Sequence, residues 1–430
     1  MFDAEMPDLD AFAAGDVRRW AEFDTAVRRA WWTNQRWYGH PAREHPIRSR
    51  ADRAEAACHA NGRMREAAVK LLADSTDPEA LPLLLIRCVD WVRPVREAAR
   101  GAVLSKVDES SLRAVLPLIG VLRRREVDDW MTTLFRENLP ELLDAALGLE
   151  DRETRRWAHR EALGLLSRER LLDIATRDED FVVRAIAGNA LLDRGECVEE
   201  LLAGGLPKIR MRALTMTGRA EEYLADRSSA VRSMAQALVL KAGGDPAEHY
   251  RAMPVSFGVL AGLGETGTAE DAALLDRHLT DERPRIRRTA VRGLRRIEPD
   301  STAVPPLLTD PSPAVTRQVV EFLRGKFVEV TKLRELLGAE HPVHTRRAAA
   351  ALLRDRDTWV RLHTDLTLLA DADLGADAEH DLRACYQHLD RVWTKPPARL
   401  RAELEAACAG LDPAIARGIR SVLDSPQYRG

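Results

Sequence analysis

The stretch Asp90-Trp91-Val92-Arg93-Pro94-Val95-Arg96-Glu97-Ala98-Ala99 decides how this chain folds, because its pattern recurs. An acid is followed five residues later by an aliphatic residue, then by Arg, then by a small residue three further on. The same order returns at Asp178 with Val183, Arg184 and Ala187, at Asp226 with Val231, Arg232 and Ala235, and at Asp281 with Ile286, Arg287 and Ala290. With the Arg position as anchor, the copies fall at Arg65, Arg96, Asp128, Arg156, Arg184, Arg210, Arg232, Ser256, Arg287, Thr316 and Arg346, in steps of 22 to 32 residues. A sustained internal period is the signature of a solenoid. Each unit packs only on its neighbours, so 430 residues need no single large core.

Positions −1 and +3 about the anchor are apolar or small in most copies. They lie one helical turn apart and share a face. A second apolar segment precedes each anchor, as at 80–86 (ALPLLLI), 112–119 (LRAVLPLI), 272–279 (AALLDRHL) and 328–337 (VEVTKLRELL). Between the two comes a turn rich in Asp and Pro, such as Asp281-Glu282-Arg283-Pro284 or Asp310-Pro311-Ser312-Pro313. Asp caps helix N-termini and Pro is accepted in the first turn. Each unit is therefore expected to be helix A, turn, helix B. No alternating strand pattern occurs, and the fold class expected is all-α.

Residues 262–294 (GLGETGTAEDAALLDRHLTDERPRIRRTAVRGL) resemble the short bacterial HEAT repeat, the variety also seen in phycobilin-lyase-type proteins. The resemblance spans about residues 50 to 355 and implies a HEAT-like α-solenoid, a superhelix of about eleven helix-pair repeats with helical caps. It also implies a structural ladder in which the turn acid pairs with Arg of an adjacent repeat. The organisation expected is an N-terminal helical cap with an aromatic cluster (1–50), the repeat solenoid (51–355) and a C-terminal helical cap (356–430). The first cap would use Trp20, Phe23, Trp31, Trp32, Trp37 and Tyr38, ahead of the loop 39–46 with His40 and His45. In the last, Lys395-Pro396-Pro397 separates the final helices.

The formal net charge is −3, with 31% charged and 45% apolar residues. An extended nucleic-acid binder carries a basic excess, so this balance argues against that class. Of the 65 basic residues only seven are Lys, so positions of Arg inform more than their number. Cys58, Cys88, Cys197, Cys385 and Cys408 are scattered, without a CxxC pair. Neither a disulfide framework nor a zinc site is expected, and the compartment expected is the cytoplasm. The acidic start Met1-Phe2-Asp3-Ala4-Glu5-Met6-Pro7-Asp8 is unlike a secretory signal, and no segment has the length of a membrane span.

If −1 and +3 are buried, then +1, +5 and +8 point away from them and should line the inner wall of a helix-pair stack. Position +1 runs from acidic (Glu66, Glu97, Asp129) through apolar (Trp157, Met211, Phe257) to basic (Arg288, Arg317, Arg347). Position +8 adds Arg295, Arg324 and Arg354, and +5 adds Arg292. These seven arginines form a candidate partner-binding surface, with Trp157, Met211 and Phe257 as solvent-facing anchors. Guanidinium forks match carboxylates and phosphates. The partner expected is a protein or peptide of acidic or extended character, held by a non-catalytic scaffold.

No phosphate loop, nucleophile elbow or zinc spacing is present, so no catalytic residue, metal or cofactor is expected. His341 and His344 sit three apart, outside any HExxH context. The alternative function is nucleic-acid binding. HEAT-like DNA alkylation-repair glycosylases use Trp and Asp in a basic groove, and that resemblance would draw on Asp129, Trp130 and Trp157 here.

Overall fold

The structure is a computed structural model describing residues 9–13, 15–33, 47–125, 128–389, 392, 394–411 and 413–424. Among them every regular element is a helix, and successive helices pack as neighbouring pairs. No helix among the described residues is long and apolar enough to cross a membrane. The chain divides into two compact units, residues 1–213 and 214–430, and the division falls inside the helix Pro207–Thr217.

Second helices of the units begin where the turn pattern places them: Arg93–Lys106, Phe181–Asp193, Ser229–Lys241, Pro284–Ile297 and Pro313–Leu323. Pro94, Pro284 and Pro313 sit in the first turn, where a missing N–H costs nothing. The turn acid differs from the expectation of a cap. Asp90, Asp226, Asp281 and Asp310 each accept the N–H two residues on, from Val92, Ser228, Arg283 and Ser312 at 2.8–2.9 Å. Those acceptors fix the turn just before the helix, an Asx-type turn. Asp108, Asp151, Asp180, Asp245 and Asp357 are the true Asp caps. First helices are often short. The expected run 328–337 is helical only over Val330–Glu335, and before Pro313 a 3₁₀ turn, Pro305–Thr309, stands in place of an α-helix.

The anchor arginines Arg65, Arg210, Arg232, Arg287 and Arg346 are buried, and Arg96, Arg156 and Arg184 are half-buried. Arg65 has no exposed surface. Its Nε and Nη2 fork onto Asp90 at 2.8 and 2.9 Å, and its Nη1 donates to the carbonyls of His59 and Ala60. Arg287 repeats this with Asp310 at 2.7 and 2.8 Å and the carbonyls of Asp281 and Glu282. Arg232 forks onto Glu265, Arg156 onto Asp180, and Arg346 pairs with Asp371 and Asp373. One guanidinium thus closes its own turn and fastens an acid 23 to 33 residues further along.

In the first unit the helix Arg19–Thr33 buries Trp20 edge-on to Phe12 and Phe23, with ring centroids 4.6 and 5.8 Å away. Its Asp24 pairs with buried Arg87, which also reaches Asp90 at 3.0 Å. Trp37, Tyr38, His40, His45 and the rest of the loop 39–46 lie outside the described residues, as do the side chains of Trp31 and Trp32. The last stretch is helical over Thr358–Leu368, Gly375–Tyr386, Ala398–Ala407 and Pro413–Asp424. All five cysteines are free and buried.

Candidate functional site

A groove of about 860 Å³ opens in the second unit across four helices: Ser229–Lys241, Phe257–Thr266, Pro284–Ile297 and Pro313–Leu323. Its floor is set by two glycines. A Cβ on Gly264 would stand 2.5 Å from the Cα of Gly293, so the second and third of these helices touch backbone to backbone. Both glycines line the groove.

Arg288, Arg292 and Arg296 line the groove from one helix and Arg317 from the next. All four are exposed. Among the described residues none has a carboxylate within 4.0 Å; Arg317 donates only to the Pro313 carbonyl at 3.3 Å. The two acids in the lining are already matched. Glu265 receives Arg232 at 2.5 Å and Gln236 at 3.0 Å, and Glu321 lies 3.1 Å from Arg324 and 3.8 Å from Arg295. Phe257 is half-buried at the groove's other side, with the Arg285 guanidinium 3.8 Å over its ring. The site is therefore a cleft with four uncommitted cations, suited to binding an anion.

Of the ten residues expected from the sequence, the groove brings together Arg288, Arg292, Arg317 and Phe257. Arg295 and Arg324 face Glu321 instead. Arg347 lies 3.3 Å from Asp377, and Arg354 is engaged by Asp365 at 2.7 Å and Asp381 at 3.5 Å. Trp157 corrects the expectation of a solvent-facing anchor. It is 5% exposed, stacked on Phe135 at 4.1 Å, and its indole N–H donates to Glu161. Met211, half-buried, belongs with Trp157 to the first unit. Asp129 is exposed and precedes the helix Trp130–Leu147, while Trp130 has Arg100 5.0 Å over its ring. His344 Nε2 lies 2.9 Å from the Asp310 carbonyl, and His341 lies 3.8 Å from Glu340.

The sequence reading missed Arg296. Relative to the anchor, −1 and +3 lie at about −100° and −60°, so their opposite is about +100°, close to +1 and +8. In Pro284–Ile297 the anchor Arg287, Thr289, Val291, Gly293 and Leu294 are buried as well, so the exposed face is narrower than two positions suggest. Arg296 at +9 lines the groove, and Arg295 at +8 faces Glu321. The four-residue spacing of Arg288, Arg292 and Arg296 was the signal available.

No protein-family model matches the chain, and no curated protein is significantly similar to it.

Proposed function

We propose that the protein is a non-catalytic, HEAT-like solenoid scaffold of the cytoplasm that holds an acidic stretch of a protein partner in the groove of its second unit. The observation carrying this reading is that Arg288, Arg292, Arg296 and Arg317 surround one cleft without carboxylate partners among the described residues, while Arg295, Arg324, Arg347 and Arg354 each face a carboxylate. Four like charges in one cleft repel one another, and an anionic ligand relieves that repulsion while steering its own encounter. A nucleic-acid ligand is less well served: Phe257 is the one aromatic among the lining residues and already carries Arg285 over its ring, and Trp157 is buried in the other unit.

The test is fluorescence anisotropy with a labelled oligoglutamate at low ionic strength. The triple reversal R288E/R292E/R317E is expected to abolish binding while circular dichroism and the melting temperature stay near wild type. Raising salt to about 0.15 M, where the Debye length is about 8 Å, should weaken wild-type binding several-fold. Binding that survives both the reversal and the salt overturns the reading.

A further inference from the structure

We infer that the occupant of the groove is an extended peptide with acidic side chains on alternate residues, lying along the helix Pro284–Ile297 and not across successive helices. This rests on the anion-binding reading above. The sequence led us to expect a cationic row crossing the helices at Arg288, Arg317 and Arg347, but Arg347 faces Asp377. Three of the four uncommitted arginines instead come from one helix, at four-residue intervals: Arg288, Arg292 and Arg296.

Four residues of α-helix rise about 6 Å. On one face of an extended strand, alternate side chains recur about every 6.6–6.8 Å. The two ladders stay in step over three rungs to within about 2 Å, well inside the reach of the flexible arginine stem. Each helical step also rotates the rung by about 40°, so the three guanidinium groups fan over about 80° and follow a strand that twists. Arg317 occupies on the next helix the position that Arg288 holds on its own. Packed helices lie about 8–10 Å apart, so Arg317 supplies a second cation beside the first rung. Ser229, Ser233 and Gln318 line the same groove and offer short polar groups to a peptide backbone.

The lining disfavours a phosphate chain. Such a chain would present a continuous run of negative charge to a groove with four uncommitted cations, whereas a peptide places charge on one of its two faces only. The one aromatic among the lining residues, Phe257, already carries Arg285 over a ring face and so lacks that face for a stacked base.

The experiment compares three labelled probes on the full chain at low salt by anisotropy. One peptide alternates three glutamates with serines. The second carries the same three glutamates separated by pairs of serines. The third probe is a short oligothymidylate. With flanking serines added to equalise their composition, the alternating peptide is expected to bind about tenfold more tightly than the second, the scale of one charge-assisted contact. R288Q/R292Q/R296Q should remove that preference, and R295Q/R324Q should leave it. Equal affinity for the two peptides, both lost in the first triple variant, overturns the alternation while the anion groove stands. Oligothymidylate binding as tightly as the alternating peptide overturns the peptide assignment. Binding of all probes unchanged in R288Q/R292Q/R296Q, with its fold verified by circular dichroism, overturns the groove itself.

Discussion

In residues 1–213, Arg65, Arg87, Asp24 and Asp90 are packed together out of water, and each guanidinium meets a carboxylate. In residues 214–430 the anchor Arg287 is engaged in the same way, yet Arg288, Arg292 and Arg296 on its own helix stand in solvent beside a cleft. The residue type and the helix type are the same, and the environment separates the roles. A buried pair fastens neighbouring helices and turns, because removing either partner leaves a charge stranded away from water. An exposed arginine contributes little to stability and remains available to a ligand.

Removing Asp90 tests the interior half of that contrast most severely. Asp90→Ala leaves Arg65 without its carboxylate and deprives Arg87 of one of two. It is expected to cost about 3–5 kcal/mol in urea denaturation. A loss below about 1 kcal/mol would mean that water or neighbouring groups replace the carboxylate, and the network would not be what joins these repeats.

Acid and base should act on the two regions with opposite sign. Burial, and secondarily Arg155, pushes the His159 imidazole down to about 4. An unfolded-chain histidine titrates near 6.5, so between about pH 6.5 and 4 the unfolded chain binds more protons and the first region loses stability as pH falls, by ~3 kcal/mol at most. Asp365 is fully buried, with Arg354 at 2.7 Å and Asp381 beyond. Burial first, then the neighbouring Asp381, pushes its carboxyl up to about 7. There the folded chain holds the extra proton between the usual carboxylate range and about pH 7. Its contribution is complete below that window and is lost as pH rises through it. Hydrogen exchange, corrected for intrinsic rate, should find the helix Arg152–Glu161 opening more at pH 4.5 and Thr358–Leu368 more at pH 7.5. His159→Gln and Asp365→Asn should each flatten their own response. The same direction in both helices would contradict the assignment.

The smallest effect expected is on the groove side. Arg292→Gln and Arg296→Gln remove exposed charges that meet no acid among the described residues, so stability should change by no more than about 0.5 kcal/mol, toward the more stable side. A melting-temperature drop comparable with that of Asp90→Ala would mean that these arginines are structural.

Much of the helical plan was legible beforehand. Proline in the first turn, aliphatics one turn apart and small residues at +3 read correctly into helices beginning at Arg93, Pro284 and Pro313. The acid of the turn was legible in position but not in role, since an Asp two residues ahead of a helix and an Asp at its cap look alike in sequence. Trp157 failed for a packing reason: it fills space beside Phe135, a residue 22 positions earlier that the repeat phase alone does not bring into view.

The amino-acid order by itself determined where several helices start and which arginines follow the turn acid at a fixed spacing, because turn chemistry and helical periodicity act over a few residues. Only tertiary packing decided which arginines remain without counterions. That choice depends on acids 23 to 33 residues away along the chain. Charge is written locally, whereas its neutralisation is a property of the assembled neighbours.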